Sequence, residues 1–73
     1  MEGKRETLSG NLMKSMRFHF KRFSDADLSK FTVERRKSSY QGAKTDIVIY
    51  DAEGAAVVKG REFGGGQMSL WAE

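Results

Sequence analysis

The clearest pattern in the chain is a pair of apolar, β-branched runs on either side of a short connection. The runs cover residues 45–51 and 55–63, and the segment Ala52-Glu53-Gly54 joins them. Glycine stands at the one position of this connection that requires a positive φ, which is typical of a type I turn followed by a G1 bulge. The pattern therefore predicts a β-hairpin in which Asp51 pairs with Ala55.

The predicted register leaves apolar side chains on both faces of this hairpin. On one face Ile49 lies opposite Val57, Ile47 opposite Lys59, and Thr45 opposite Arg61. The other face carries four more apolar side chains, which are Val48, Tyr50, Ala56 and Val58. A hairpin with one face in water would alternate more strictly. We therefore expect the first face to be covered by a helix, by the C-terminal segment or by a second copy of the chain.

A shorter alternation precedes the hairpin, between residues 16 and 23. Apolar and polar positions alternate there, with Met16, Phe18 and Phe20 next to Arg17, His19 and Lys21. This period of two predicts a strand with one buried face.

The segment before this strand has little pattern. Residues 1–15 are mostly polar, and Gly3 and Gly10 interrupt any helix. We expect a flexible tail there, followed by a single domain over residues 16–73. Met13 or Met16 would serve equally well as the native start.

Between the first strand and the hairpin, the sequence predicts a short helix and another strand. A capping serine and two carboxylates at 24–27 precede Leu28 and Phe31, whose spacing is helical, so we expect a helix near residues 25–30. Residues 31–38 fit either a continuation of this helix or a strand, and the β-branched pair Thr32-Val33 favours the strand. A turn over residues 38–43 follows.

The C-terminal segment has the composition of a docking arm. Three consecutive glycines at 64–66 form a flexible joint, and Met68, Leu70 and the single tryptophan, Trp71, follow it. We expect this arm to dock on its own hairpin or on that of a neighbouring copy, which would produce an arm-exchanged dimer.

Together these elements predict one α+β domain: an antiparallel meander of three to four strands with one short helix and a flexible N-terminus. A chain of 73 residues buries only roughly 60% of its unfolded surface, and it has no cysteine to form a disulfide. Self-association is the remaining common source of stability, so we expect a homodimer. No apolar run approaches the roughly 18 residues of a membrane span, and we expect a cytoplasmic protein without membrane contact.

Positive charge is concentrated in the first half of the chain. Residues 14–44 carry nine basic and three acidic side chains, whereas residues 45–73 carry two basic and five acidic ones. This asymmetry suggests either an anionic partner for the first half or head-to-tail self-association. An anionic partner could be a nucleic acid bound through phosphate contacts, with Phe18, Phe20 or Tyr40 available to stack on bases. The candidate phosphate contacts are Arg17, Lys21, Arg35, Arg36 and Lys37.

No combination of residues predicts catalysis or a cofactor. His19 has no nucleophile or orienting carboxylate at a fixed position beside it. The glycine-rich segment 60–67 lacks the lysine and hydroxyl side chain of a phosphate loop, and Asp25 and Asp27 are better explained as helix-capping residues than as metal ligands. We expect neither enzymatic activity, nor a cofactor, nor a metal site.

The apolar surplus favours a protein-binding module. Uncovered apolar surface usually marks a protein interface. The candidate interface residues are Ile47, Ile49, Val57, Phe63, Leu70 and Trp71. The leading hypothesis is a non-enzymatic module that self-associates and binds another macromolecule, most simply a protein, and the alternative is nucleic-acid binding.

Overall fold

The structure is a computed structural model that describes residues 4–72. It consists of a five-stranded antiparallel sheet with one helix on one of its faces. The strands neighbour one another in chain order, which confirms the α+β class and the meander but gives five strands instead of three to four. The strands are β1 (Arg5–Thr7), β2 (Thr32–Lys37), β3 (Ala43–Tyr50), β4 (Ala56–Phe63) and β5 (Met68–Ala72), and the helix is α1 (Gly10–His19). Single 3₁₀ turns lie at Lys21–Phe23, Leu28–Lys30 and Gly64–Gly66.

The strand predicted over residues 16–23 is wrong, because α1 covers residues 16–19 and a 3₁₀ turn covers residues 21–23. Ser9 caps the helix, and its hydroxyl accepts a hydrogen bond from the Leu12 backbone N–H at 3.2 Å. Leu12 and Met16, one helical turn apart, are both buried. Phe18 points away from them and is 85% exposed, so the alternation of apolar residues did not mark a buried strand face.

The flexible tail predicted for residues 1–15 is also wrong over its described part. Strand β1 pairs with β2, placing Arg5 opposite Glu34, and the first half of α1 lies within the same segment. Leu8, between these two elements, is buried in the core. Residues 1–3 of the predicted tail lie outside the described residues.

The helix predicted near residues 25–30 is reduced to the 3₁₀ turn at Leu28–Lys30. Asp27 caps this turn by accepting a hydrogen bond from the Ser29 N–H at 3.2 Å. The Ser29 hydroxyl, and then this N–H, hold the pKa of Asp27 below its usual value. Only Leu28 of the turn is fully buried, so a single turn is enough to place it. The strand alternative for residues 31–38 is confirmed by β2.

The hairpin between β3 and β4 has the predicted turn but not the predicted register. The Asp51 N–H donates to the Ala55 carbonyl at 2.9 Å, and Gly54 has a φ of 89°, as the turn requires. Tyr50 lies opposite Ala56, but between Tyr50 and Ile49 the register shifts by one residue, so that Ile49 lies opposite Val58 instead of Val57. Such a bulge changes which side chains share a face.

This shift assembles one continuous core. Ile47, Ile49 and Val58 lie on the face that packs against Leu12 and Met16 of α1, so the helix supplies the cover that the sequence required. The buried apolar residues are Leu8, Leu12, Met16, Phe23, Leu28, Val33, Ile47, Ile49 and Val58.

The C-terminal arm docks on its own hairpin. Strand β5 pairs with β4, from Val58 opposite Ala72 to Glu62 opposite Met68. Gly65 and Gly66 adopt positive φ angles of 77° and 80° in the turn that reverses the chain. Neither α1 nor any other helix within residues 4–72 is long and apolar enough to cross a membrane.

Candidate binding surface on the open face of the sheet

The sheet face opposite α1 carries no covering helix within the described residues. We call it the open face. Its central row crosses all five strands, and each member lies opposite the next, in the order Arg5, Glu34, Val48, Lys59 and Trp71. Neighbouring members of such a row are roughly 5 Å apart between Cα atoms, so these side chains form one continuous surface.

A second row of charged residues lies beside the first. Arg36 lies opposite Asp46, and Asp46 lies opposite Arg61. The Arg61 Nε donates to the Asp46 carboxylate at 3.3 Å, and the Ser38 hydroxyl donates to the same oxygen at 2.8 Å. The carboxylate on this row is thus neutralised by a basic residue of the same chain.

Aromatic rings on and beside this face are covered by guanidinium groups. The Arg5 guanidinium carbon lies 3.7 Å from the centre of the Tyr50 ring. The Arg61 guanidinium carbon lies 4.2 Å from the Tyr40 ring centre and 5.4 Å from that of Trp71. Cation–π contacts at exposed sites contribute about 0.5–1 kcal/mol each, which is enough to restrict these long side chains.

The middle of the open face contains a depression of about 370 Å³. Trp71 and Arg61 border it, and 39% of the Trp71 surface is exposed. Tyr40, in the turn before β3, is 53% exposed. The surface therefore offers two partly exposed aromatic rings joined by one arginine.

Glu34 is the one charged residue of the described chain that is buried, with 6% of its surface exposed. Its carboxylate accepts a hydrogen bond from the Tyr50 hydroxyl at 2.8 Å and another from the Arg36 Nε at 3.1 Å. These donors, the tyrosine hydroxyl above all, hold the pKa of Glu34 below its usual value. Glu34 thereby fixes Tyr50 and Arg36 in place on the open face.

The replacement Tyr50→Phe is expected to make the free energy of unfolding depend less on pH in the acidic range. Because the folded-state pKa of Glu34 is lowered, its contribution is present above the unfolded-state pKa and is lost as the pH falls through the folded-state value. Removing the donor raises that pKa, so Tyr50→Phe should unfold at lower urea concentration than the natural protein at pH 7 and should approach it in acid. Urea titrations followed by circular dichroism at several pH values measure this.

Tyr40→Phe is the matched control, because the Tyr40 hydroxyl makes no hydrogen bond within residues 4–72 and its ring remains beside Arg61. A destabilisation by Tyr50→Phe that is the same at every pH would contradict the assigned role of Glu34.

The residues predicted to form a protein interface are divided by the fold. Ile47 and Ile49 are buried in the core, with 1% and 0% of their surfaces exposed, and cannot form a contact surface. Val57 and Leu70 are half-buried against that core, and Phe63 is half-buried at the end of β4. Trp71 is the member that reaches the open face.

The residues predicted to bind nucleic acid are divided between the two sides of the sheet. Arg17 and Lys21 lie in the helical layer, and Arg36 lies on the open face. The strand alternation turns Arg35 and Lys37 to the side of the sheet on which α1 lies, where Arg35 pairs with Glu62 at 3.4 Å.

The sequence prediction missed three residues of the open face: Arg5, Tyr50 as an Arg-covered ring, and Arg61. Arg5 lay in the supposed tail, and the register error placed Arg61 opposite Thr45 instead of Asp46. A strand assignment for Arg5–Thr7 would have revealed the central row.

Other candidate chemistry finds no support from the geometry. The exposed His19 contacts the Phe18 ring edge-on, with the ring centres 5.2 Å apart. Within residues 4–72, no three histidine, aspartate or glutamate side chains come together in a way that could hold a metal ion. Comparison of the chain with protein-family models, with curated proteins and with solved structures found no match. The function is therefore argued from the surfaces themselves.

Proposed function

We propose that the protein is a non-enzymatic interaction module that binds protein through the open face and associates with itself through this sheet surface and its C-terminal strand. The observation that carries the proposal is Arg61, which lies between the exposed rings of Tyr40 and Trp71. The few residues that carry most of the binding energy at protein interfaces are enriched in tryptophan, tyrosine and arginine. Since these side chains already restrain one another, less conformational entropy is lost on binding.

The charge pattern of the open face supports a protein partner. Its two rows carry four basic side chains and two carboxylates, which are Arg5, Arg36, Lys59, Arg61, Glu34 and Asp46. Both carboxylates are already bonded to arginines of the same chain. A polyanion would meet these carboxylates, whereas a surface of mixed sign suits a partner of mixed sign.

A second copy of the chain meets this requirement. In a two-fold dimer each patch faces the same patch on its partner, so a surface with both signs can be complementary to itself. The exposed Trp71 ring of β5, which lies on the open face, would then be covered by the partner copy. A domain of 73 residues gains stability from such association.

Sedimentation equilibrium from micromolar to millimolar protein tests this proposal. The natural chain is expected to dimerise, and Trp71→Ala to weaken the dimer by about thirtyfold, as loss of an interface hot spot does. Phe18→Ala is the matched control, because it also removes an exposed aromatic ring but on the helical layer. A natural chain that stays monomeric throughout, or a dimer unaffected by Trp71→Ala, would overturn the proposed self-association.

A further inference from the structure

The outer surface of α1 has a charge balance different from that of the open face. Residues 7–24 contain no aspartate or glutamate but carry Lys14, Arg17, Lys21 and Arg22. Arg22 is occupied by the fold, because it donates to the Val57 carbonyl at 3.1 Å and lies over the Phe23 ring. The other three side chains are exposed.

Phe18 is the most exposed large apolar side chain of the described residues, at 85%. Helix geometry places it on the same side of α1 as Lys14 and Arg17, opposite the buried Leu12 and Met16. Its ring lies nearly perpendicular to that of His19, with the ring centres 5.2 Å apart, and its high exposure leaves it accessible for stacking. Lys21 follows in the 3₁₀ turn directly after α1. We call the set Lys14, Arg17, Phe18 and Lys21 the α1 stripe.

We propose that the α1 stripe binds single-stranded nucleic acid, with Phe18 stacking on an unpaired base and the three basic side chains contacting phosphates. Within residues 4–72, the ammonium groups of Lys14 and Lys21 have no ion-pair partner. Arg17 donates a long 3.4 Å hydrogen bond to the Ala26 carbonyl, and its charge contributes to lowering the pKa of Asp27. The stripe therefore presents net positive charge around an exposed ring, which is the combination that single-strand binders use.

The geometry favours a nucleic acid over an anionic membrane. A helix that lies on a membrane presents a wide apolar face to the lipid. The apolar face of α1 is used by the core, through Leu12 and Met16, and Phe18 is the single large apolar side chain on its outer side. A single ring suits a base better than a lipid surface. It also suits an unpaired base better than one stacked within a duplex.

Fluorescence anisotropy with the full chain and a labelled single-stranded oligonucleotide of mixed sequence, as DNA and as RNA, tests the proposal. We expect saturable binding whose logarithmic dependence on salt has a slope of about −2, since three phosphate contacts each contribute about −0.7. Phe18→Ala should weaken binding by about tenfold or more while leaving that slope unchanged. Lys14→Gln and Lys21→Gln should each reduce the magnitude of the slope by about 0.7.

Lys59→Gln is the matched charge control, since it removes one positive charge from the open face, on the opposite side of the sheet from α1, and should leave the slope unchanged. Circular dichroism should show that Phe18→Ala folds like the natural chain, because the lost ring is solvent-exposed. The absence of binding at low salt would overturn the proposal, as would equal affinity of Phe18→Ala and the natural chain. Binding to anionic phospholipid vesicles that needs Phe18, without binding to oligonucleotides, would assign the stripe to membranes instead.

This inference stands apart from the self-association proposed above. Trp71→Ala should bind the oligonucleotide as the natural chain does, because Trp71 lies on the opposite side of the sheet from α1. Loss of oligonucleotide binding in Trp71→Ala would contradict the assignment of the two activities to separate surfaces.

Discussion

Met16→Ala is expected to lower the free energy of unfolding by about 2–5 kcal/mol, the usual cost of removing a large buried side chain. Met16 is completely buried, with 0% of its surface exposed, between α1 and the sheet. A single core in a domain below about 80 residues rarely supplies more than about 3–5 kcal/mol. The variant should therefore be largely unfolded, or close to it, at room temperature.

Urea titration followed by far-ultraviolet circular dichroism measures this effect, and Phe18→Ala provides the comparison. In a strand over residues 16–23, Met16 and Phe18 would share the buried face, and both substitutions would be costly. In α1 only Met16 is buried, so Phe18→Ala should change stability by no more than about 0.5 kcal/mol. Similar losses from both substitutions would contradict the helix.

The turn between β3 and β4 could be predicted from the sequence because it depends only on neighbouring residues. Asp51 accepts hydrogen bonds from the Glu53 and Ala55 N–H groups, and Gly54 takes the positive φ, so the turn follows from four neighbouring residues. The β-branched pair in β2 similarly decided between strand and helix. These features need no knowledge of the rest of the chain.

The register beyond the turn could not be predicted in the same way. Val57 and Val58 are adjacent and equally apolar, so no local rule decides which of them faces Ile49. The bulge that selects Val58 places Ile47, Ile49 and Val58 together under α1. Its position is thus fixed by packing against a helix that the sequence pattern did not reveal.

The error in α1 has a different cause. The alternation over 16–20 is only five residues long, and a helix with one buried methionine and one exposed phenylalanine produces the same pattern. What identifies the helix is the capping Ser9 followed by Leu12 and Met16 at a spacing of four. The exposed Phe18 breaks the usual rule of helix patterning, and such exceptions concentrate at functional sites.

The candidate surfaces depended on these two corrections. Once α1 covers one face of the sheet, the ion pairs and rings of the other face belong to a single surface that extends from β1 to β5. The basic residues of α1 become a separate surface, on a segment, residues 7–24, that contains no aspartate or glutamate. A surface that contains both basic and acidic side chains and a predominantly basic one suit partners of different charge, which is why the two proposals assign protein and nucleic acid to different faces.

Gly60→Ala is expected to destabilise the junction between β4 and β5 by about 1–3 kcal/mol or more, because the added methyl group has no room. A Cβ at this position would lie 2.5 Å from the Ser69 carbonyl oxygen, 2.5 Å from a Leu70 methyl carbon and 3.1 Å from the Ile47 side chain. The leucine can rotate away, but the carbonyl belongs to the backbone of β5. The strand itself would have to move.

Displacement of β5 would also remove Trp71 from the open face, so one substitution links stability to the proposed interface. The emission of Trp71, the single tryptophan, should shift to longer wavelength in Gly60→Ala while the urea midpoint falls. Gly10→Ala is the control: its Cβ would meet nothing within 4 Å, and the gain in helix propensity should be neutral or stabilise by up to about 1 kcal/mol. If Gly60→Ala kept the natural midpoint and emission, β5 could not be packed against Gly60, and Trp71 would have no fixed place beside Arg61.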